Sequence, residues 1–363
     1  MRISRGQALS WRSARQFLTD GAGSVEDVVD RLGAVPAQSG DADLAVRRRM
    51  SDPVPGEVAS ALRENRLLKT YAFRGATHLM TPEHAGRYLA LRAAGRMWER
   101  PSWVSHYGLE PRDWPALREV VRGLVADGPV TRAELVAGVT ADPRFAHLGP
   151  GLLHTSDTLL KPFGWQGDIC FGPVLGGKTT FQSPAASAGW RGVPDLEDAG
   201  PAAVAAYFDA YGPATPEHVS YWLGTGLGAG RKRVTGWLAG LADDLVEVDV
   251  DGETLLHGRA HLDALAAQPA TTAVTMLPGC DQWVLGPGTA DERIVPADRR
   301  ALVTRGANLV LAGGVVGGTW RTGADTLTVT WFGEAGDPPR DAIDAEASRL
   351  AALLGRPLAV DFG

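Results

Sequence analysis

Residues 172–179, Gly172-Pro-Val-Leu-Gly-Gly177-Lys178-Thr179, satisfy the phosphate-loop pattern of two glycines with four residues between them, then lysine and a hydroxyl residue. That chemistry needs a helix whose N-terminus comes directly after the lysine and aims backbone N–H groups at the phosphates. The next residues are Thr180-Phe181-Gln182-Ser183-Pro184, a β-prone run broken by proline, so the string reads as the turn of a hairpin. Gly224-Thr-Gly226-Leu-Gly228-Ala229 has the look of a dinucleotide fingerprint, yet it comes after the helical stretch His218–Leu223 and not a strand, and it reads as a flexible turn before a helix. His257 and His261 are spaced to share a helix face as zinc ligands do, but Gly258 weakens that helix and no glutamate follows His257. They read as a solvated or hydrogen-bonded pair. No Gly-x-Ser-x-Gly nucleophile elbow occurs. Two cysteines, Cys170 and Cys280, are too few for a disulfide framework or a cysteine-rich zinc site. No cofactor and no metal are expected.

The chain has 363 residues, room for two or three domains with a core each. No run of 18 apolar residues suggests a membrane span, and Met1–Leu18 carries four arginines without an apolar stretch, so a cytoplasmic location is expected. The net charge is −6, unfavourable for phosphate binding as a sum. Its distribution is uneven. Basic residues cluster at Arg2–Arg15, at Arg47-Arg48-Arg49, at Arg231-Lys232-Arg233 and at Arg299-Arg300 with Arg305. Such clusters form either a basic stripe on an otherwise acidic protein or a set of solvated helix faces.

The elements that must position these groups repeat. Gln7 to Leu18, a segment opening at Ser24, Asp41 to Met50 and Gly56 to Asn65 read as helices, and Leu67 to Leu79 as a strand pair turning at Gly75. Helices followed by a hairpin are the order of a winged helix. The order recurs from Trp114, where Gly128-Pro129-Val130-Thr131 opens a helix with Thr131 and Glu134 as a capping box and Ile169 to Gln182 forms the hairpin. It recurs again from Pro201, where Gly212-Pro213-Ala214-Thr215 opens a helix at Pro216, Arg231 to Ala242 comes next as the recognition-helix candidate, and Leu245 to Leu256 alternates around Gly252. The two Gly-Pro-x-Thr phrases stand about 85 residues apart, which marks a repeated unit. From Thr271 helices are scarce until Asp341–Leu354, so a small β domain closed by one helix is expected.

The landmarks Arg74-Gly75-Ala76-Thr77-His78-Leu79, Phe171-Gly172-Pro173, Tyr211-Gly212-Pro213-Ala214-Thr215-Pro216, Leu277-Pro278-Gly279-Cys280-Asp281 and Gly317-Gly318-Thr319-Trp320-Arg321 occur in an order that resembles the AlkZ/YcaQ-like winged-helix DNA glycosylases. The resemblance implies an α+β fold of three tandem winged-helix modules, residues 1–110, 111–192 and 193–270, with a C-terminal β-barrel-like domain, residues 271–363. It implies a monofunctional glycosylase that excises alkylated purines, among them bulky adducts and interstrand crosslinks made by genotoxic natural products, in repair or in self-resistance of the producer.

The family's catalytic motif is glutamine, a hydrophobic or small residue, then glutamine or aspartate, in the loop after the second helix. Here it falls on Pro36-Ala37-Gln38, with Pro36 in place of the first glutamine, Ser39 next and Asp41 as the nearest acid. A purine alkylated at N7 is already cationic and leaves without a general acid, through an oxocarbenium-like transition state. The protein then needs to place a water and complement charge. The Gln38 carboxamide can orient that water, and Asp41 offers a second position for it. Pro36 can do neither.

The other site residues rest on the same resemblance. Arg74 and His78 fall in the first landmark, either contacting the lesion strand or bonding the hairpin to a helix. Arg47 and Arg48 lie beyond Gln38 by about two and a half helical turns and are assigned to flanking phosphates. Arg231, Lys232 and Arg233 are assigned to phosphates as well. The partner expected is double-stranded DNA carrying alkylated purines, bound by a monomer near the nucleoid. Two functions remain open on the residues: a glycosylase working through Gln38, or a winged-helix DNA-binding protein, regulator or lesion shield, that no longer cuts because of Pro36.

Overall fold

Both Gly-Pro-x-Thr phrases cap a helix as their spacing predicts. Thr131 Oγ1 accepts from the Glu134 N–H while the Glu134 carboxylate accepts from the Thr131 N–H, and Thr215 and His218 reproduce the exchange. The computed structural model describes residues 1–363. In chain order the elements that matter below are α1 (Arg5–Arg15), α2 (Val25–Leu32), α3 (Ala42–Arg47), α4 (Glu57–Arg63), β1 (Leu68–Tyr71), β2 (Thr77–Met80), α5 (Pro82–Ala93), α6 (Trp114–Leu124), α7 (Arg132–Thr140), β3 (Cys170–Phe171) and β4 (Thr180–Gln182). They continue with α8 (Leu196–Tyr211), α9 (Pro216–Val219), α10 (Arg231–Gly240), β5 (Leu245–Val250), β6 (Glu253–Gly258), β7 (Val274–Leu277), α11 (Gln282–Leu285), β8 (Asn308–Ala312), β9 (Val315–Thr322), β10 (Thr326–Trp331), α12 (Arg340–Leu354) and β11 (Ala359–Phe362).

The chain forms two compact units, each assembled from separated stretches: residues 1–58, 204–222 and 235–363 in one, 59–203 and 223–234 in the other. In the second unit the hairpin β1–β2 is antiparallel, β1 pairs β3, and β3–β4 is again antiparallel. Its core gathers Leu117 and Val121 of α6, Leu135 and Val139 of α7, and Trp165, Phe163 and Phe181. Apolar residues at three- and four-residue spacing on α6 and α7 therefore bury one stripe per helix, the pattern of an amphipathic winged-helix bundle.

In the first unit α1 and α2 carry the same signature: Ser4 and Ser24 cap their N-termini, and Val25, Val28, Val29 and Leu32 are buried on one face of α2. The hairpin β5–β6 turns at Gly252, and Arg2–Ile3 adds a parallel strand to β5.

The C-terminal segment corrects the expected barrel. It is an open sheet in the order β7-β8-β9-β10-β11, with β7 and β11 at opposite edges and only the last pair parallel. The reason lies in alternation along β8. Leu309 and Leu311 face a core with Leu9, Leu18 and Trp283, whereas Val310 faces Ile343, Ala347 and Leu350 of α12. Both faces are covered by other elements, so the sheet buries its apolar surface without curling on itself. The sequence suggested few helices there, but it held no sign that α1 packs on the far face.

No helix is long and apolar enough to cross a membrane.

Candidate active site

The loop after α2 turns from core to solvent within six residues. Gly33 ends α2 at φ +76, a conformation that favours glycine, and Ala34, Val35 and Pro36 run through the interior. Ala37 is half-buried, and Gln38, Ser39, Gly40 and Asp41 are exposed. Asp41 then starts α3, its Oδ1 accepting the Leu44 N–H at 2.9 Å. One short stretch thus brings a carboxamide and a carboxylate to the surface between two helices of fixed position.

Three contacts hold the loop from below. Tyr211 donates its hydroxyl to the Leu32 carbonyl at 2.7 Å, satisfying an acceptor that the end of α2 leaves open. Gln282, buried at the start of α11, donates its amide to the Ala34 carbonyl. Gly40, at φ +78, lies so close to Gly279 that a Cβ there would sit 2.2 Å from the Gly279 oxygen. Gly279 in turn is pressed on Gly306, where an added Cβ would meet its oxygen at 2.0 Å, and the Gly279 N–H donates to Asn308 Oδ1 at 2.8 Å. The result is a stack of three backbones with no room for side chains.

Beside this stack, Pro36, Ser39, Asp41, Asp281 and Gln282 line a recess of about 10 Å³, the space of a single water.

Arg47 and Arg48, on and just after α3, are buried: Arg47 bonds Asp43 at 3.2 Å and the Leu353 carbonyl at 2.7 Å, and Arg48 pairs with Glu346 of α12 at 2.6 Å. Burial lowers the Arg48 pKa against the opposing pull of Glu346. In the second unit Arg74 is exposed at the turn between β1 and β2, at φ +52. His78, on β2, is buried with Nδ1 3.1 Å from the Ala76 carbonyl and its ring 5.3 Å from Phe73. Burial pushes its imidazole down to about 4, so it is neutral at physiological pH. Arg231, Lys232 and Arg233 open α10 and are exposed, with Arg233 Nη1 donating to the Ala229 carbonyl at 2.9 Å. Within the first unit Gln38, Asp41, Arg47 and Arg48 share one loop–helix segment. Within the second, Arg74 and His78 share one hairpin.

Sequence reading missed the residues that hold the loop. Arg49, Tyr211, Asp281 and Gln282 touch it or its flanking helices, and their signal was present, since Tyr211 and Asp281 belong to the ordered landmarks and Gln282 adjoins one. Two of the five landmarks, at Tyr211 and at Gly279–Asp281, thus supply supports of the loop.

The family model described as DNA glycosylase AlkZ-like matches residues 29–353. The chain belongs to the AlkZ-like DNA glycosylases. A curated interstrand DNA cross-link repair glycosylase from Streptomyces sahachiroi is 37% identical over 363 residues, covering 98% of both chains. The solved structure of Streptomyces sahachiroi DNA glycosylase AlkZ superposes with a TM-score of 0.94 at 36% identity, covering all of each chain. In this AlkZ-like glycosylase Pro36 is buried, whereas Gln38, two residues on, reaches the surface.

Proposed function

We propose that this chain hydrolyses the N-glycosidic bond of alkylated purines in duplex DNA, bulky N7 adducts and interstrand cross-links included, with residues 36–41 as the reaction centre. The observation that carries this reading is the solvent-exposed Gln38 on a loop whose ends are fixed by Tyr211, Gln282 and the Gly40–Gly279 contact. The name of the 37% identical relative supports the cross-link substrate.

The chemistry asks little of the protein. The positive charge on an N7-alkylated purine draws the electron pair of the C1′–N9 bond onto the base, leaving an oxocarbenium-like sugar. The Gln38 oxygen accepts a hydrogen bond from a water and directs its lone pair at C1′; the surplus proton goes to solvent. Asp41 keeps one oxygen on the Leu44 N–H and supplies a negative charge that complements the sugar cation. Pre-positioning replaces a strong base, which is why a rigidly held loop matters more than a second glutamine.

Phosphate contact falls to the exposed Arg231, Lys232, Arg233 and Arg74. Arg47 and Arg48 act on this reading by fixing α3 behind the loop, and His78 by stiffening its hairpin. The protein works as a monomer in the cytoplasm, at the nucleoid, and its four sequence modules serve as one DNA-binding scaffold. Repair extends to self-resistance where the alkylating compound is made by the same cell.

The test is a duplex bearing one cationic N7-alkylguanine, incubated with the protein and then with mild alkali. Strand breaks at the resulting abasic site are expected. Intact strands for several such adducts would overturn the reading.

A further inference from the structure

Three guanidinium groups line one cavity of about 320 Å³ in the first unit: Arg47 and Arg48 from the C-terminal end of α3, and Arg349 from α12. Phe17 and Leu18 after α1, with Pro53 and Leu353, give the same cavity an apolar side. Gly21, Met50 and Ser51 supply backbone. The Ala22 N–H donates to the Arg49 carbonyl at 2.8 Å and the Ser51 N–H to the Ala22 carbonyl at 3.0 Å, and a Cβ added at Gly21 would lie 2.2 Å from the Ser51 nitrogen. The segment joining α1 to α2 is thereby zipped to the segment after α3, and the cavity's shape is fixed by the fold.

The carboxylates beside these cations do not match them in number. Glu346 Oε1 accepts from Arg48 Nε at 2.9 Å and from the Met276 N–H at 2.9 Å, whereas its Oε2 comes no nearer than 3.6 Å to Arg349. Asp43 takes Arg47 Nη1 at 3.2 Å and the Leu353 carbonyl takes Nη2 at 2.7 Å, which leaves Arg47 Nε buried without an acceptor. An unmet donor on a buried cation is costly. Burial lowers the Arg48 pKa, and repulsion from Arg349 adds to it against the pull of Glu346. Asp20 and Asp52 do not line the cavity. Three positive charges therefore meet two negative ones.

We infer that this cavity is a binding site for a small organic phosphate monoester, with Arg47, Arg48 and Arg349 around its terminal oxygens and Phe17, Leu18 and Pro53 against its apolar part. A guanidinium fork matches an oxyanion in geometry as well as in charge. Burial chooses among oxyanions. The side chains of Arg47 and Arg48 are only 10% and 6% exposed, so a terminal group can enter where a backbone phosphodiester, flanked by a sugar on each side, is held off. The volume is that of a small-molecule site. A ligand there ties the end of α3 to α12, and Asp41 at the start of α3 is about 9 Å away along the helix axis. Occupancy thus stiffens the helix that leads out of the proposed reaction centre. That consequence rests on the reading above, and the site itself does not.

The test titrates phenyl phosphate into the full chain by calorimetry at constant ionic strength, with phenol and diphenyl phosphate as controls. Wild type is expected to bind phenyl phosphate with a Kd below about 1 mM, diphenyl phosphate at least about tenfold more weakly, and phenol not at all. Arg349→Gln, at an exposed position, should weaken phenyl phosphate about tenfold at an unchanged unliganded melting temperature, and Arg349→Lys should recover part of the loss. Hydrogen exchange should show amides of residues 44–50 slowed by the ligand. No binding by wild type, equal affinity in Arg349→Gln, or slowing confined to other parts of the chain would overturn the site. Displacement of phenyl phosphate by undamaged duplex would overturn it too, by assigning these arginines to the DNA backbone. Phenyl phosphate bound as expected by a protein that never releases N7-methylguanine would count against the glycosylase reading and leave the site standing.

Discussion

Arg49 and Asp281, 232 positions apart, form a fully buried two-pronged ion pair, with Nη1 2.9 Å and Nη2 2.7 Å from the two carboxylate oxygens. Asp281 also accepts the Trp283 N–H at 2.8 Å and so caps α11, while Arg49 reaches back to the Ala45 carbonyl of α3 at 2.8 Å. One carboxylate therefore ties the helix after the Gln38 loop to the segment beneath that loop. Its neighbours Cys280 and Gln282 line the same recess as Pro36 and Asp41.

Removing one half of such a pair strands the other charge in the interior. Asp281→Ala is expected to destabilise the protein by about 3–5 kcal/mol, the range for breaking a buried pair. Urea unfolding measures it. Replacing both residues by apolar ones of similar volume should cost markedly less than the single change, and a double variant as unstable as Asp281→Ala would contradict that account.

Gly40→Ala tests the backbone stack. An alanine must take φ +78 with its Cβ 2.2 Å from the Gly279 oxygen, so the loop must move. Gly40 is exposed and ends no helix, and the global fold should survive. The expected signature is a loss of base release of at least roughly tenfold, the effect of a small misplacement of a catalytic group, with the melting temperature lowered by only a few degrees. Unchanged turnover would mean that the loop's position is not what the reaction depends on.

Gln38 and Asp41 separate by substitution. Gln38→Ala should cut single-turnover base release roughly 10²-fold and leave duplex affinity within a factor of about two. Asp41→Asn keeps the cap, because an asparagine oxygen accepts the Leu44 N–H as well. It removes only the charge. A slower release at unchanged stability is expected, whereas wild-type release in Asp41→Asn would assign Asp41 to helix capping alone.

Acid should weaken the fold before the carboxylates titrate. Burial pushes His78, His218 and His257 each down to about 4, and His257 is fully buried against Trp11 with both ring nitrogens unpartnered. In the unfolded chain these groups gain a proton near pH 6.5. Since the unfolded state then holds more protons, their contribution is complete above about pH 6.5 and declines as pH falls towards 4. Urea midpoints from about pH 8 to about pH 4.5 should be level at first and then fall. His257→Leu should make the fall shallower, and an identical slope in that variant would remove His257 from the account.

The sequence alone determined what is local. Threonine before proline or arginine with a partner three residues on set the caps at Thr131 and Thr215, and paired glycines set the turn at Gly176-Gly177. Alternation and amphipathic spacing placed the hairpins and helices of the winged-helix pattern, because those signals arise within one or two turns of chain. The family resemblance pointed to the Gln38 loop, the reaction centre proposed above. Its support was not, because Tyr211, Asp281 and Gln282 reach it from about 180 to 250 residues away, and no periodicity carries a contact at that separation. The same holds for the open C-terminal sheet, whose second face is filled by Leu9 and Leu18 from the start of the chain. It holds for Arg47 and Arg48 too, which sequence offered to phosphates and folding handed to Asp43, Leu353 and Glu346. Whether an arginine faces solvent depends on which acids and carbonyls folding brings beside it, and that is decided only when the long-range packing is complete.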